Sequence, residues 1–194
     1  MLKEKLKDYH IILASGSPRR QSFFEEMGIP FEIKLKPVKE IFPKHLNRSE
    51  ITDYLAELKS RAFEGELDPK DILITSDTIV WHKGTALGKP ADPAQAMEML
   101  KSLSDRTHEV ITSVTFTTNH KKKTINSTTK VTFRELSKDE IDYYITNFHP
   151  LDKAGAYGIQ EWIGLVGITK VEGSYFNVVG LPTHLVYENL LDLI

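Results

Sequence analysis

Apolar and polar positions along this chain alternate between two periods, and the switches outline a series of strands and helices. Residues 9–14 form an apolar run read as the first strand. Ser17 then stands as an N-cap with Pro18 at the first helical position. Phe23, Phe24 and Met27 supply an apolar face, and Gly28 is placed to end that helix. A short strand is expected over 31–36. Ser49 opens a second helix in which Ile51, Leu55, Leu58 and Ala62 recur at helical spacing. The run ILITSDTIV at 72–80 reads as a strand with a polar centre, and HKG at 82–84 as a hairpin turn. Asp92, Pro93 and Gln95 mark the start of a helix through Leu103, and Ser137 with Glu140 forms a capping box for one ending near Phe148. Two long strands fill 109–134 around a turn near NHKKK. Glycine-punctuated strands are expected over 156–179, and LPTHLVYENLLDLI closes the chain as a helix. Strands and helices mix without strict alternation, so the pattern predicts an α/β domain with a mixed sheet.

Composition narrows the function more than the fold. The length of 194 residues suits one domain or two closely packed lobes, and no repeat, low-complexity tract or Gly/Pro/Ser-rich linker divides it. A net charge of −2 leaves no basic footprint for nucleic acid. The apolar runs are far shorter than a membrane span, and the charged start MLKEKLKDYH does not read as a signal peptide. With no cysteine in the chain, disulfides, thiolate nucleophiles and cysteine-ligated zinc are all excluded. A cytoplasmic location is the expectation.

Several polar groups stand where an ordinary fold would not need them. In LASGSPRR (13–20), two arginines open a helix whose N-terminus is already the positive end of its dipole. A small-residue loop between strand and helix presents backbone N–H groups to an anion. Ser15 and Ser17 add hydroxyls, and Arg19 and Arg20 add planar forks that suit phosphate oxygens; a solvated first turn is the plain alternative. Asp77 sits inside an apolar strand, where an unpaired carboxylate is costly. A metal, a cation or a catalytic role would each account for it, as would a structural pairing with lysine. Thr78 beside it offers a hydroxyl, and Lys89 is held between Gly88 and Pro90. Glu32 is a carboxylate between Phe31 and Ile33, and Lys59 lies beside the buried stripe of its helix. In DKAGAYGIQEW (152–162), glycines and alanines permit close backbone approach to a ligand, and the Gln160 amide can read a base edge. His108 reads as a structural histidine, Lys121–Lys123 as a solvated hairpin tip, and Tyr143, Tyr144 and Phe148 as a helix packing face.

Taken in order, LASGSPRR, FE, the helix with Lys59, SDTIV, LGKP, LSDRTHEVIT, DKAGAYGIQ and GSYFNVVGLP resemble the Maf family of nucleoside triphosphate pyrophosphatases almost from end to end. The resemblance implies a fold like that of the inosine-triphosphate pyrophosphatases: one Maf-like domain over 1–194, with a mixed sheet in two lobes and a nucleotide cleft between them. It implies hydrolysis of a nucleoside triphosphate to the monophosphate and pyrophosphate, assisted by a divalent cation, Mg2+ or Mn2+. Arg19, Thr78 and Gln160 match the branch acting on dTTP and UTP rather than the one acting on 7-methyl-GTP. The implied roles are Asp77 as general base or metal anchor, Glu32 as its partner on the metal, and Lys59 and Lys89 on the β- and γ-phosphates and the leaving group. Ser15, Ser17, Arg19 and Arg20 would meet the triphosphate, with Thr78 and Gln160 at the base. A homodimer is implied, and neither nucleic acid nor membrane is. The alternatives are a pyrophosphatase for other or modified nucleotides and a nucleotide-binding regulator of septum formation. The chain departs from the family pattern at Ser76, where a small apolar residue or glycine is usual, and at Asp105, where glycine is usual. It departs again in AELKSRAF, where alanine more commonly follows the lysine.

Overall fold

In a computed structural model of the chain, which describes residues 2–194, the elements in order are α1 (Leu2–Lys5), β1 (His10–Leu13), α2 (Pro18–Glu26), β2 (Glu32–Ile33), α3 (Ser49–Arg61), β3 (Asp71–His82), β4 (Thr85–Leu87), α4 (Pro93–Leu103), β5 (Thr107–Thr117), β6 (Lys122–Phe133), α5 (Lys138–Phe148), α6 (Trp162–Gly167), β7 (Ile168–Glu172), α7 (Tyr175–Val179) and α8 (Thr183–Leu193). The strands form one sheet in the order β2-β1-β3-β5-β6-β7, with β4 paired to β3. Parallel β2-β1-β3 pairing and antiparallel β3-β4 and β6-β7 pairing make it mixed. The chain divides into two compact units. One holds the residues up to Asp77 with Thr112–Ser127 and Gly180–Ile194, the other Thr78–Ile111 and Thr128–Val179.

In the first unit, Ile11, Ile12 and Leu13 of β1 and Ile72, Leu73 and Ile74 of β3 are buried side by side. The face that α3 covers is lined with hydroxyls. Thr75 Oγ1 donates to the Ala56 carbonyl at 2.7 Å, and Ser113 Oγ donates to Thr52 Oγ1 at 2.6 Å. The buried Thr75 and Ser113 hydroxyls therefore each have a partner, as burial demands. Ser49 is the first residue of α3, with Arg48 at its N-cap.

In the second unit, β3 turns into β4 through Lys83 and Gly84, both at positive φ (49° and 76°). That is the two-residue hairpin geometry expected of HKG. The Asp92 carboxylate caps α4 by accepting from Gln95 N at 2.7 Å, and α5 carries both halves of the Ser137/Glu140 capping box. Asp105 sits at φ +53° and donates its N–H to the Arg134 carbonyl. A left-handed residue there explains why the family pattern favours glycine, and aspartate is among the side chains that tolerate the conformation.

Two expectations need correction. The 156–179 stretch contains a single strand, β7; α6 and α7 occupy most of the rest. Ile163 and Gly167 of α6 are buried four residues apart, a helical interval that a six-residue apolar run cannot display clearly. The strand expected over 31–36 shrinks to Glu32–Ile33, because only Ile12 and Leu13 of β1 offer it a ladder.

Candidate active site

The SPRR turn follows directly from β1. Ser17 occupies the N-cap in extended conformation, with Pro18 starting α2, but its hydroxyl makes no cap bond. The first turn is instead organised from Ser15, whose Oγ accepts from Ser17 N at 3.3 Å and whose carbonyl accepts from Gln21 Nε2 at 3.1 Å. Arg20 folds back over this turn. Its Nε donates to the Gly180 carbonyl at 2.8 Å, and its Nη1 donates to the Ser76 carbonyl at 3.1 Å and Ser15 Oγ at 3.4 Å. One guanidinium thus joins the loop after β1, strand β3 and the start of the last segment. Arg20 was expected on the triphosphate, and here its charge is spent first on protein oxygens. Desolvation lowers its pKa, and the nearby Asp77 carboxylate works in the opposite direction.

Asp77 is buried at 7% exposure on β3, and its companion is Lys59 of α3. Lys59 Nζ donates to Asp77 Oδ1 at 2.7 Å and to the Ser76 carbonyl at 3.3 Å. The same ammonium lies 3.0 Å from Glu40 Oε1. Burial raises the Asp77 carboxyl above the usual carboxylate value, and Lys59 and then Arg20 pull against that rise. The Ser76 carbonyl receives both cations, while Ser76 Oγ is buried without a protein partner.

Glu32 is not part of this group. It pairs with His10 Nε2 at 2.9 Å and Lys34 Nζ at 3.2 Å. By register, Glu32 and Leu73 both align with Ile12. Asp77 lies four residues further along β3, ~13 Å at the usual rise per residue. The second carboxylate at Asp77 is Glu40, which the sequence reading missed. It stands in the aperiodic 34–48 loop, and the one available signal was the length of that loop, since long structureless loops are commonly functional.

Among the described residues, no group of three or more His, Asp or Glu forms a ready-made metal centre. The Asp77–Glu40 pair still suits a hard divalent cation. Both are oxygen donors already bridged by one ammonium, and magnesium takes one or two carboxylates with the rest of its shell from water and phosphate.

Within the second unit, three other predicted segments converge. Thr78 is half-buried on β3, directly after Asp77. The Gly88 carbonyl, next to Lys89, accepts from Gly155 N at 3.0 Å. Gly155 has φ +69°, and a Cβ there would fall 2.8 Å from Val80 Cγ2 of β3. Glycine is therefore required both by conformation and by space. Lys89 and Gln160 are both exposed, Lys89 directly after Gly88 and Gln160 five residues beyond Gly155.

Residues 10–193 match the family model described as Maf-like protein. The dTTP/UTP pyrophosphatase of Flavobacterium johnsoniae is 61% identical over 194 residues, the full length of both chains. That of Christiangramia forsetii is 58% identical, covering all of this chain and 99% of its own. That of Phocaeicola vulgatus is 47% identical over 191 residues, 98% of this chain and 99% of its own. Matched over residues 10–193 and similar over its full length to these relatives, the chain belongs to the Maf family.

Proposed function

We propose that this protein hydrolyses UTP and dTTP to the nucleoside monophosphate and pyrophosphate. The observation that carries the reading is the cluster of the buried Asp77 with the half-buried Lys59 and the exposed Glu40, beside Arg20 and just beyond the carboxyl end of β1. Ligands of open α/β sheets bind at such strand ends. The names of the full-length relatives support the choice of nucleotide.

In this mechanism Asp77 takes a proton from water as the water oxygen bonds to the α-phosphorus. The bond from that phosphorus to the α,β-bridging oxygen breaks, and pyrophosphate leaves with the electron pair. A carboxyl raised by burial accepts the proton more readily at neutral pH than an ordinary aspartate does. Ser15, Ser17 and Arg19 engage phosphate oxygens at the start of α2, and Arg20 holds that turn in place. Lys59 and Lys89 offset charge on the β- and γ-phosphates and on the leaving pyrophosphate. Asp77 and Glu40 would hold the divalent cation, magnesium or manganese, which neutralises phosphate charge when bound. The fixed turn at Gly158–Glu161 presents Gln160 to the base, and Thr78 borders it. The protein acts on the cytoplasmic nucleotide pool.

The Gln160 amide carries one donor and one acceptor, which match O4 and N3–H of uracil and thymine. Cytosine reverses both, leaving unpaired groups that cost ~1–3 kcal/mol each when buried. Measured with pyrophosphate detection, kcat/KM for UTP and dTTP should exceed that for CTP and dCTP at least about tenfold. Equal values would remove Gln160 from base selection.

A further inference from the structure

Base selection by an amide has a weakness: a glutamine that can turn over serves cytosine as well as uracil. Gln160 is exposed, so its own packing does not fix it. The turn that carries it is held at both ends by one buried group. Tyr144 of α5 is fully buried, and its hydroxyl donates to Glu161 Oε2 while accepting from Gly158 N at 3.0 Å. The turn is closed from inside as well, with Glu161 N donating to the Gly158 carbonyl at 3.0 Å. Lys153 Nζ reaches the other Glu161 oxygen at 3.0 Å, and its side chain is only 12% exposed. The Glu161 and Lys153 side chains lie against Gly158, where a Cβ would fall 2.9 Å from Glu161 Cδ and 3.1 Å from Lys153 Cε. Ile159 is buried on the inner side of the same turn. Gln160 is therefore the outward residue of a four-residue turn with every other position tied down.

We infer that Tyr144, Glu161 and Lys153 are positioning residues for base choice, clamping the 158–161 turn so that the Gln160 amide meets a uracil or thymine edge in one orientation. The inference rests on Gln160 reading the base. None of the three is among the residues assigned to the phosphates, so loss of the clamp should act on which base is accepted rather than on the rate with UTP. Burial and the Glu161 carboxylate both hold the Tyr144 hydroxyl in its protonated, donating form.

The test compares the UTP-to-CTP ratio of kcat/KM in four variants. Tyr144→Phe removes the hydroxyl that joins Gly158 to Glu161, and Glu161→Gln keeps the shape but removes the charge facing Lys153. Gln160→Ala tests the underlying reading. Ser137→Ala breaks the capping box of α5, the helix carrying Tyr144, without touching the turn. The expected result is a ratio falling at least fivefold in Tyr144→Phe, Glu161→Gln and Gln160→Ala, with the UTP kcat of the two clamp variants within threefold of the parent. Ser137→Ala should lower the melting temperature and leave the ratio unchanged. A ratio lost in Gln160→Ala but kept in the clamp variants overturns the inference and spares the Gln160 reading. A ratio kept in Gln160→Ala overturns both. A ratio that falls equally in Ser137→Ala makes the effect one of general stability and also overturns the inference. If Tyr144→Phe does not fold, Glu161→Gln decides alone.

Discussion

Asp77 and Glu40 differ from Glu32 in one respect that matters for chemistry: the first two share a cation, and the third is occupied elsewhere. Glu40→Gln should therefore reduce kcat for UTP by at least about tenfold, less than the ~10²–10⁴-fold of a positioned acid or base. Glu32→Gln should stay within threefold, because it disturbs only the exposed pairs with His10 and Lys34. Steady-state assays of the two variants side by side decide between them, and the reverse ranking would return the role to Glu32. Asp77→Asn removes the ionised carboxylate with little change of shape, so kcat should fall on the order of 10²–10⁴-fold while the fold persists. A variant within threefold of the parent would take Asp77 out of the chemistry. Lys89→Ala should lower kcat and kcat/KM together if the lysine meets charge developing on pyrophosphate. A change confined to KM would make it a uniform binder.

At the level of elements, the legible parts were those whose local chemistry is self-contained. The α5 capping box needs only Ser137 and Glu140, and the β3–β4 turn only Lys83 and Gly84, so each could be read where it stands. Asp77 was legible as an anomaly, a carboxylate inside an apolar strand, but its partners were not. Lys59 lies 18 residues away in sequence, and Glu40 lies in a loop without periodicity. Arg20 shows the same limit, since its bond to the Gly180 carbonyl spans 160 residues. Short apolar segments misled in the other direction, as α6 and α7 read like strands until their buried faces were seen. Gly155 gives a prediction at this scale. Gly155→Ala combines a left-handed φ with a clash against Val80, which together should cost at least about 2 kcal/mol. Chemical denaturation would show it as a lowered midpoint, and an unchanged midpoint would mean that the 152–160 segment can shift away from β3.

For the whole molecule, acid stability follows from His108. It is buried with Nε2 2.7 Å from the Tyr157 hydroxyl, and burial lowers its pKa to about 3. The unfolded chain takes up a proton near pH 6.5 that the folded chain refuses, so stability is full above that pH and declines as pH falls toward 3. The slope for one such group is ~1.4 kcal/mol per pH unit. Burial lowers the pKa of His82 as well, with the same sign. His108→Gln should therefore flatten, without abolishing, the loss of stability between about pH 6 and about pH 5.5, before Glu140, held down to about 2 by Arg134, adds its own loss as pH nears the ordinary carboxylate value of 4.5. Urea titrations across that window would show it, and an unchanged slope would place the acid sensitivity elsewhere.

The cluster around Asp77 has its purpose only if water is delivered to the α-phosphorus. Hydrolysis of UTP in 18O-labelled water, followed by mass analysis of both products, tests this directly. The expected result is one labelled oxygen in UMP and none in the pyrophosphate released with it. Label in pyrophosphate, or release of orthophosphate in its place, would contradict it.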